Sequence, residues 1–133
     1  MTQEQKELLF KDLCARLPYG VKVRYSSYKE FITCTLHSIT PVYDNVYLWS
    51  KNACFNLASI SKIKPYLFPM SSMTEEQKMF LKQQNWYIAI STSGTVETTI
   101  EGIDWLNKNH FDYRGLIPMG LAIPVTKENN PYK

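Results

Sequence analysis

Few groups in this chain could do covalent or acid–base chemistry. Its histidines are His37 and His110, and its cysteines are Cys14, Cys34 and Cys54. Nucleophilic catalysis needs a cysteine or serine beside a base that a third group orients. His110 has Asp112 two residues on and Asp104 six residues back, so a Cys-His-Asp arrangement is conceivable, but no catalytic signature spacing supports it. A histidine closing a predicted helix more often serves as a cap or dipole partner. His37 falls in a predicted strand and reads as a surface residue or a satisfied core one. Asp104 and Asp112, eight apart across a helix end, do not form a paired-carboxylate site. No His or Cys pair has metal-ligand spacing, and neither a glycine-rich phosphate loop nor a nucleophile elbow occurs. The expectation is a protein that is not an enzyme and uses no cofactor and no metal.

The distribution of charge and aromatic side chains says more. The chain has 133 residues, 14% of them aromatic, and a formal net charge of +3. Residues 18–70 carry six basic groups (Lys22, Arg24, Lys29, Lys51, Lys62, Lys64) against Glu30 and Asp44, a local net of +4. The excess positive charge therefore lies in this segment, together with ten of the eighteen aromatics. Cations interleaved with aromatic rings are what single-stranded nucleic acid requires, with phosphates neutralised and bases stacked. The densest run is residues 22–29, so Lys22, Arg24, Tyr25, Tyr28 and Lys29 are candidate contacts, with Trp49 further along. The bland reading is that strands need aromatics for packing and lysines to protect their edges. Tyr113-Arg114 beside Gly115 is a candidate anchor for a protein partner, since Tyr and Arg are enriched at interface hot spots. Its bland reading places Tyr113 over the core edge and pairs Arg114 with Asp112 or a helix carbonyl.

The elements that must position these residues follow from periodicity. Thr2 and Gln5 stand in capping-box spacing, and Leu9, Leu13 and Leu17 share one face, which predicts a helix over 3–16 that Pro18-Tyr19-Gly20 ends. From Val21 to Phe68 the period becomes 2. Val21, Val23 and Tyr25 alternate with Lys22 and Arg24, and Ile32, Cys34 and Leu36 alternate with Thr33, Thr35 and His37. Further strands are expected over 42–49 and 55–63, with Pro41 ending the preceding one. Four or five short strands in about fifty residues suit a small SH3-like β-barrel over 21–68. Thr74 and Gln77 repeat the capping-box spacing and open a second helix. Residues 86–91 read as extended, Ser93-Gly94 as a turn, and Val96, Ile100, Ile103 and Leu106 predict a third helix over 95–109. From His110 the chain is proline-punctuated yet apolar, an irregular tail packed on the body. The fold class expected is α+β in a single domain, residues 1–133.

Three segments resemble a known group: Asp12-Leu13-Cys14-Ala15-Arg16-Leu17-Pro18-Tyr19-Gly20-Val21-Lys22-Val23, then Lys64-Pro65-Tyr66-Leu67-Phe68-Pro69-Met70-Ser71-Ser72-Met73-Thr74-Glu75-Glu76, and finally Asp104-Trp105-Leu106-Asn107 with Asp112-Tyr113-Arg114-Gly115-Leu116-Ile117. They are similar to short uncharacterised proteins of gut Bacteroidetes and their phages and mobile elements, in which the stretch matching Arg24 to Ile63 is the variable part. That resemblance implies a prokaryotic, intracellular, mobile-element setting and supplies no catalytic residue. An odd number of cysteines without framework spacing points the same way, to free thiols in a reducing, cytoplasmic compartment. The polar start of the chain is unlike a signal peptide, and no apolar run approaches the ~20 residues that span a bilayer, so no membrane partner is expected. The function expected is a non-catalytic binding module of a phage or mobile element. It would engage a host or phage protein, or single-stranded nucleic acid, through the barrel. The alternative is a small-molecule or nucleotide sponge, and the oligomeric state stays open.

Overall fold

The computed structural model describes residues 1–28, 30–40, 44–50, 55–92 and 94–133. Helix α1 spans Gln3–Arg16, and its first turn is closed by the reciprocal Thr2–Gln5 capping box. Leu9 and Leu13 fill the core from one side of α1, and a 3-10 turn at Leu17–Tyr19 delivers the chain into the sheet through Gly20 at φ 67°. Such a left-handed turn favours glycine.

Five strands follow: β1 (Lys22–Ser26), β2 (Phe31–Thr40), β3 (Asn45–Trp49), β4 (Phe55–Ser59) and β5 (Ile63–Leu67). A 3-10 turn at Ile60–Lys62 joins the last two. Helix α2 (Glu75–Gln83), a hairpin of β6 (Ile88–Ile90) and β7 (Val96–Thr98), helix α3 (Ile100–Lys108) and the short strand β8 (Ile123–Pro124) complete the chain. The main sheet runs β4-β3-β2-β1-β5-β8, antiparallel except for the parallel pair β5–β8. Its inner face carries Val23, Cys34, Leu36, Val46, Leu48, Ala58, Ile63 and Leu67, all buried against α1 and against Leu116 and Leu121.

The SH3-like barrel expected over 21–68 is not formed. Among the described residues no pairing joins β4 to β5, and the sheet stays open. The reason lies beyond residue 68. The edge of β5 away from β1 is occupied by β8, where the Val125 amide bonds the Leu67 carbonyl, and by the 110–112 segment paired with Phe68. The sheet is nonetheless curled. Four intervals of ~4.8 Å separate β4 from β5 in a flat sheet, about 19 Å, while Ser59 to Ile63 spans at most about 14 Å of chain.

Two further expectations are corrected. The helix expected over 95–109 begins only at Ile100, because Val96–Thr98 pairs with Ile88–Ile90 across the turn at Gly94. Thr95, Val96, Thr98 and Thr99 are β-branched and favour the extended chain. The true N-cap is Thr99, whose hydroxyl accepts from the Gly102 amide. A side chain at Gly102 would collide with Thr98, so glycine lets β7 end directly against α3. The last two helices are thus separated by a hairpin. The segment after His110, expected to be irregular throughout, contributes β8 to the sheet.

Candidate nucleic-acid interface

Because successive strand residues face opposite sides, burying Val23 places Lys22 and Arg24 on the outward face of β1. Register then assembles their neighbours. Lys22 lies across from Thr35, Arg24 from Thr33 on one side and Lys64 on the other, and Ser26 from Phe31. On β3, Trp49 lies across from Thr35 and Tyr47 from Ser38. The pairing skips a residue between Leu36 and Ser38, a bulge that leaves the exposed His37 outside the register. A bulge re-aims side chains in this way, and the His37 ring stacks on Trp49 with centroids 5.8 Å apart.

The resulting face is basic and aromatic. Lys22 Nζ donates to Thr35 Oγ1 at 2.6 Å. The Arg24 guanidinium lies 4.2 Å from the Phe31 ring centroid, a cation–π arrangement, and its Nε has no hydrogen-bond partner among the described residues. Phe31 is 67% exposed and Trp49 42%, with Tyr47 exposed beside them. Strands β1–β5 contain no Asp or Glu. Beyond Trp49 the face opens into a cavity of about 570 Å³, lined by Lys22, Thr35, Trp49, Tyr66, Lys133 and one carboxylate, Glu128.

One wall of that cavity is the last segment of the chain, held by Tyr132. Its hydroxyl donates to the Tyr66 carbonyl at 2.7 Å and receives the Lys22 amide at 3.1 Å. Burial raises the Tyr132 pKa well above its ordinary value, against the Lys22 hydrogen bond, so the phenol keeps the proton it donates. Under the face, burial likewise raises the Cys34 thiol, with the Lys22 charge opposing. Cys14 and Cys34 are both free thiols; the third cysteine, Cys54, lies outside the described residues.

The structure thus brings Lys22, Arg24 and Trp49 onto one surface. Tyr25 is on the opposite side of β1 and packs against the core. Tyr28 is at the turn after β1, 96% exposed, and Lys29 lies outside the described residues. Tyr113 and Arg114 are elsewhere, in a buried ionic cluster. Arg16 and Asp12 are fully buried and paired in a fork, Nε to Oδ2 at 2.8 Å and Nη2 to Oδ1 at 3.1 Å. Arg16 also donates to the Phe111 carbonyl at 2.6 Å. Arg114 Nε stands 3.3 Å from Asp12 Oδ1, the oxygen that also accepts from Arg16 Nη2, and Arg114 Nη2 donates to the Tyr113 hydroxyl, which donates to Asn107. Both guanidinium groups face the Tyr113 ring. Arg114 is therefore tied to Asp12 and not to Asp112, whose carboxylate accepts the Leu116 and Ile117 amides.

His110 is buried, at φ 61°, and stacks on Tyr132. Burial, with the Arg16 charge adding to it, lowers its pKa to about 4, so the ring is neutral near pH 7. Phe31, Tyr47, Lys64 and Tyr66 are not among the contacts that the sequence alone proposes, and of these Phe31 has the readable signal, alternating with Ile32 on a strand whose next inward residue is Cys34. Among the described residues no three His, Cys, Asp or Glu side chains group to hold a metal ion, and no helix is long and apolar enough to cross a membrane. Comparison with known families, with curated proteins and with solved structures finds no match for this chain.

Proposed function

We propose that the outward face of β1–β5 binds single-stranded nucleic acid without catalysis, as a module of a phage or mobile element. The observation that supports this is the composition of the face. Lys22, Arg24 and Lys64 stand among exposed rings on five strands that hold no carboxylate. Phosphates meet cations there, and bases meet aromatic faces, as on other sheet platforms for single strands. The open sheet takes the role that a barrel surface was expected to play. The segment carrying Tyr132 bounds the face on one side, which gives a bound strand an end-stop beside Trp49.

Titration of a labelled oligonucleotide at two salt concentrations tests the reading. Three neutralised phosphates give a slope of log affinity against log salt of about −2, since single strands release ~0.7 counterions per contact. No binding at about 50 mM salt and ~100 μM protein, where even non-specific complexes form, removes the proposal. An affinity for a protein partner that is indifferent to salt would assign the face to protein recognition.

A further inference from the structure

We infer that the groove between α2 and the β6–β7 hairpin is a second binding site, for an apolar small molecule bearing one carboxylate. Three-residue strands in a two-stranded hairpin do not hold themselves together in water, so the hairpin needs cover on its apolar side. The protein supplies little. No residue of β6 or β7 is buried, Ile88 is half-buried and Ile90 is exposed. Helix α2 contributes a single buried side chain, Leu81.

Between them lies a cavity of about 550 Å³, whose apolar lining includes Met73, Leu81, Trp86 and Ile88. That volume falls in the range of small-molecule sites, which are apolar with a few convergent polar groups. The charged residues lining it are Lys78 and Lys82, one turn apart on α2. Lys78 meets Glu75 in an exposed pair at 3.3 Å, a contact of little strength. Lys82 has no ion pair among the described residues. Among the described residues no Asp or Glu lines the groove. Apolar walls under two cations of one sign select an apolar body with an anionic head, of the kind a medium-chain fatty acid presents.

Dodecanoate below its micelle concentration is the probe, with neutral dodecanol beside it, both followed by amide chemical shifts of the full chain. Saturable shifts at Leu81, Trp86 and Ile88 are expected, with dodecanoate binding more tightly than dodecanol. The K78Q/K82Q variant changes only exposed side chains and should keep the shifts of the main sheet. It should lower dodecanoate affinity about tenfold and leave dodecanol unchanged. Absence of saturable shifts, shifts elsewhere in the chain, or equal loss of both probes in the variant overturns the site. So does binding of an acidic amphipathic peptide in place of dodecanoate, which would make the groove a docking surface for protein.

Discussion

Tyr132 stacks on His110, ring centroids 4.1 Å apart and 10° from parallel, while its hydroxyl bridges the Lys22 amide and the Tyr66 carbonyl. A residue 110 positions from β1 thus joins the end of the chain to β1 and β5, and through His110 to the turn after α3. The same ring lies 6.0 Å from Phe68. The last segment is therefore part of the packed body, and it sets one boundary of the basic, aromatic face.

Removing the hydroxyl alone isolates its contribution. Tyr132→Phe leaves an amide and a carbonyl without their partner at a part-buried site, and unfolding free energy should fall by about 1–3 kcal/mol. Tyr132→Ala also loses the stack and should cost more. Urea denaturation measures both. A Tyr132→Phe protein as stable as the parent would show that the bridge carries no stability.

His110 makes stability depend on pH. Its pKa is lowered from its ordinary 6.5 to about 4 in the folded protein. Between those values the unfolded chain binds more protons than the folded one, so stability rises with pH there. The contribution is full above about pH 6.5 and is lost as pH falls toward 4. Urea midpoints at pH 7.5 and 5 should differ in that direction. His110→Asn, which tolerates the left-handed backbone, should flatten this part of the profile. An unchanged slope in the variant would assign the pH dependence to other groups.

Local signals in the sequence were readable and long-range ones were not. Both capping boxes, Thr2–Gln5 and Thr74–Gln77, form as spaced, because each involves one helical turn. Alternation along Val21–Tyr25 sorts Lys22 and Arg24 outward, and by the same rule it sends Tyr25 to the core and away from the candidate site. The sequence overextends helix α3 because Val96 and Ile100 fit a helical stripe, while the competing pairing with β6 depends on a partner six to ten residues back. Barrel closure could not be judged without the parallel β5–β8 pair, whose strands are more than fifty residues apart. The ionic cluster had a readable half. Asp12 and Arg16 sit four apart on the stripe of Leu9 and Leu13, an unusual place for two charges, but Arg114 reaches them only through the fold.

That cluster predicts a large and asymmetric mutational effect. Asp12→Ala leaves the fully buried Arg16 guanidinium without its counter-charge and should destabilise by about 3–5 kcal/mol. Replacing the pair together, Asp12→Leu with Arg16→Met, should recover a substantial part, because the fully buried Arg16 charge leaves with its partner and only the partly exposed Arg114 loses an ion pair. Chemical denaturation of the single and double variants decides. A single variant costing under ~1 kcal/mol would mean that Arg114 and the Phe111 carbonyl do not depend on Asp12.

The outward face makes the last prediction, and the two chemistries on it should separate. The Arg24 guanidinium stacks on the exposed Phe31 ring, and removing it deletes one phosphate contact. Arg24→Ala should lower the salt slope of oligonucleotide binding by about 0.7. Trp49 offers a ring and no charge, so Trp49→Ala should cost ~1–3 kcal/mol of binding with the slope unchanged. Tyr25→Phe is the control. Its side chain packs toward the core, so its loss of a hydroxyl should leave oligonucleotide affinity where it was. Anisotropy titrations of the three variants at two salt concentrations read all of this out. If Arg24→Ala and Trp49→Ala weaken binding equally at every salt concentration, the cation is not meeting a phosphate, and the face recognises something other than a nucleic-acid strand.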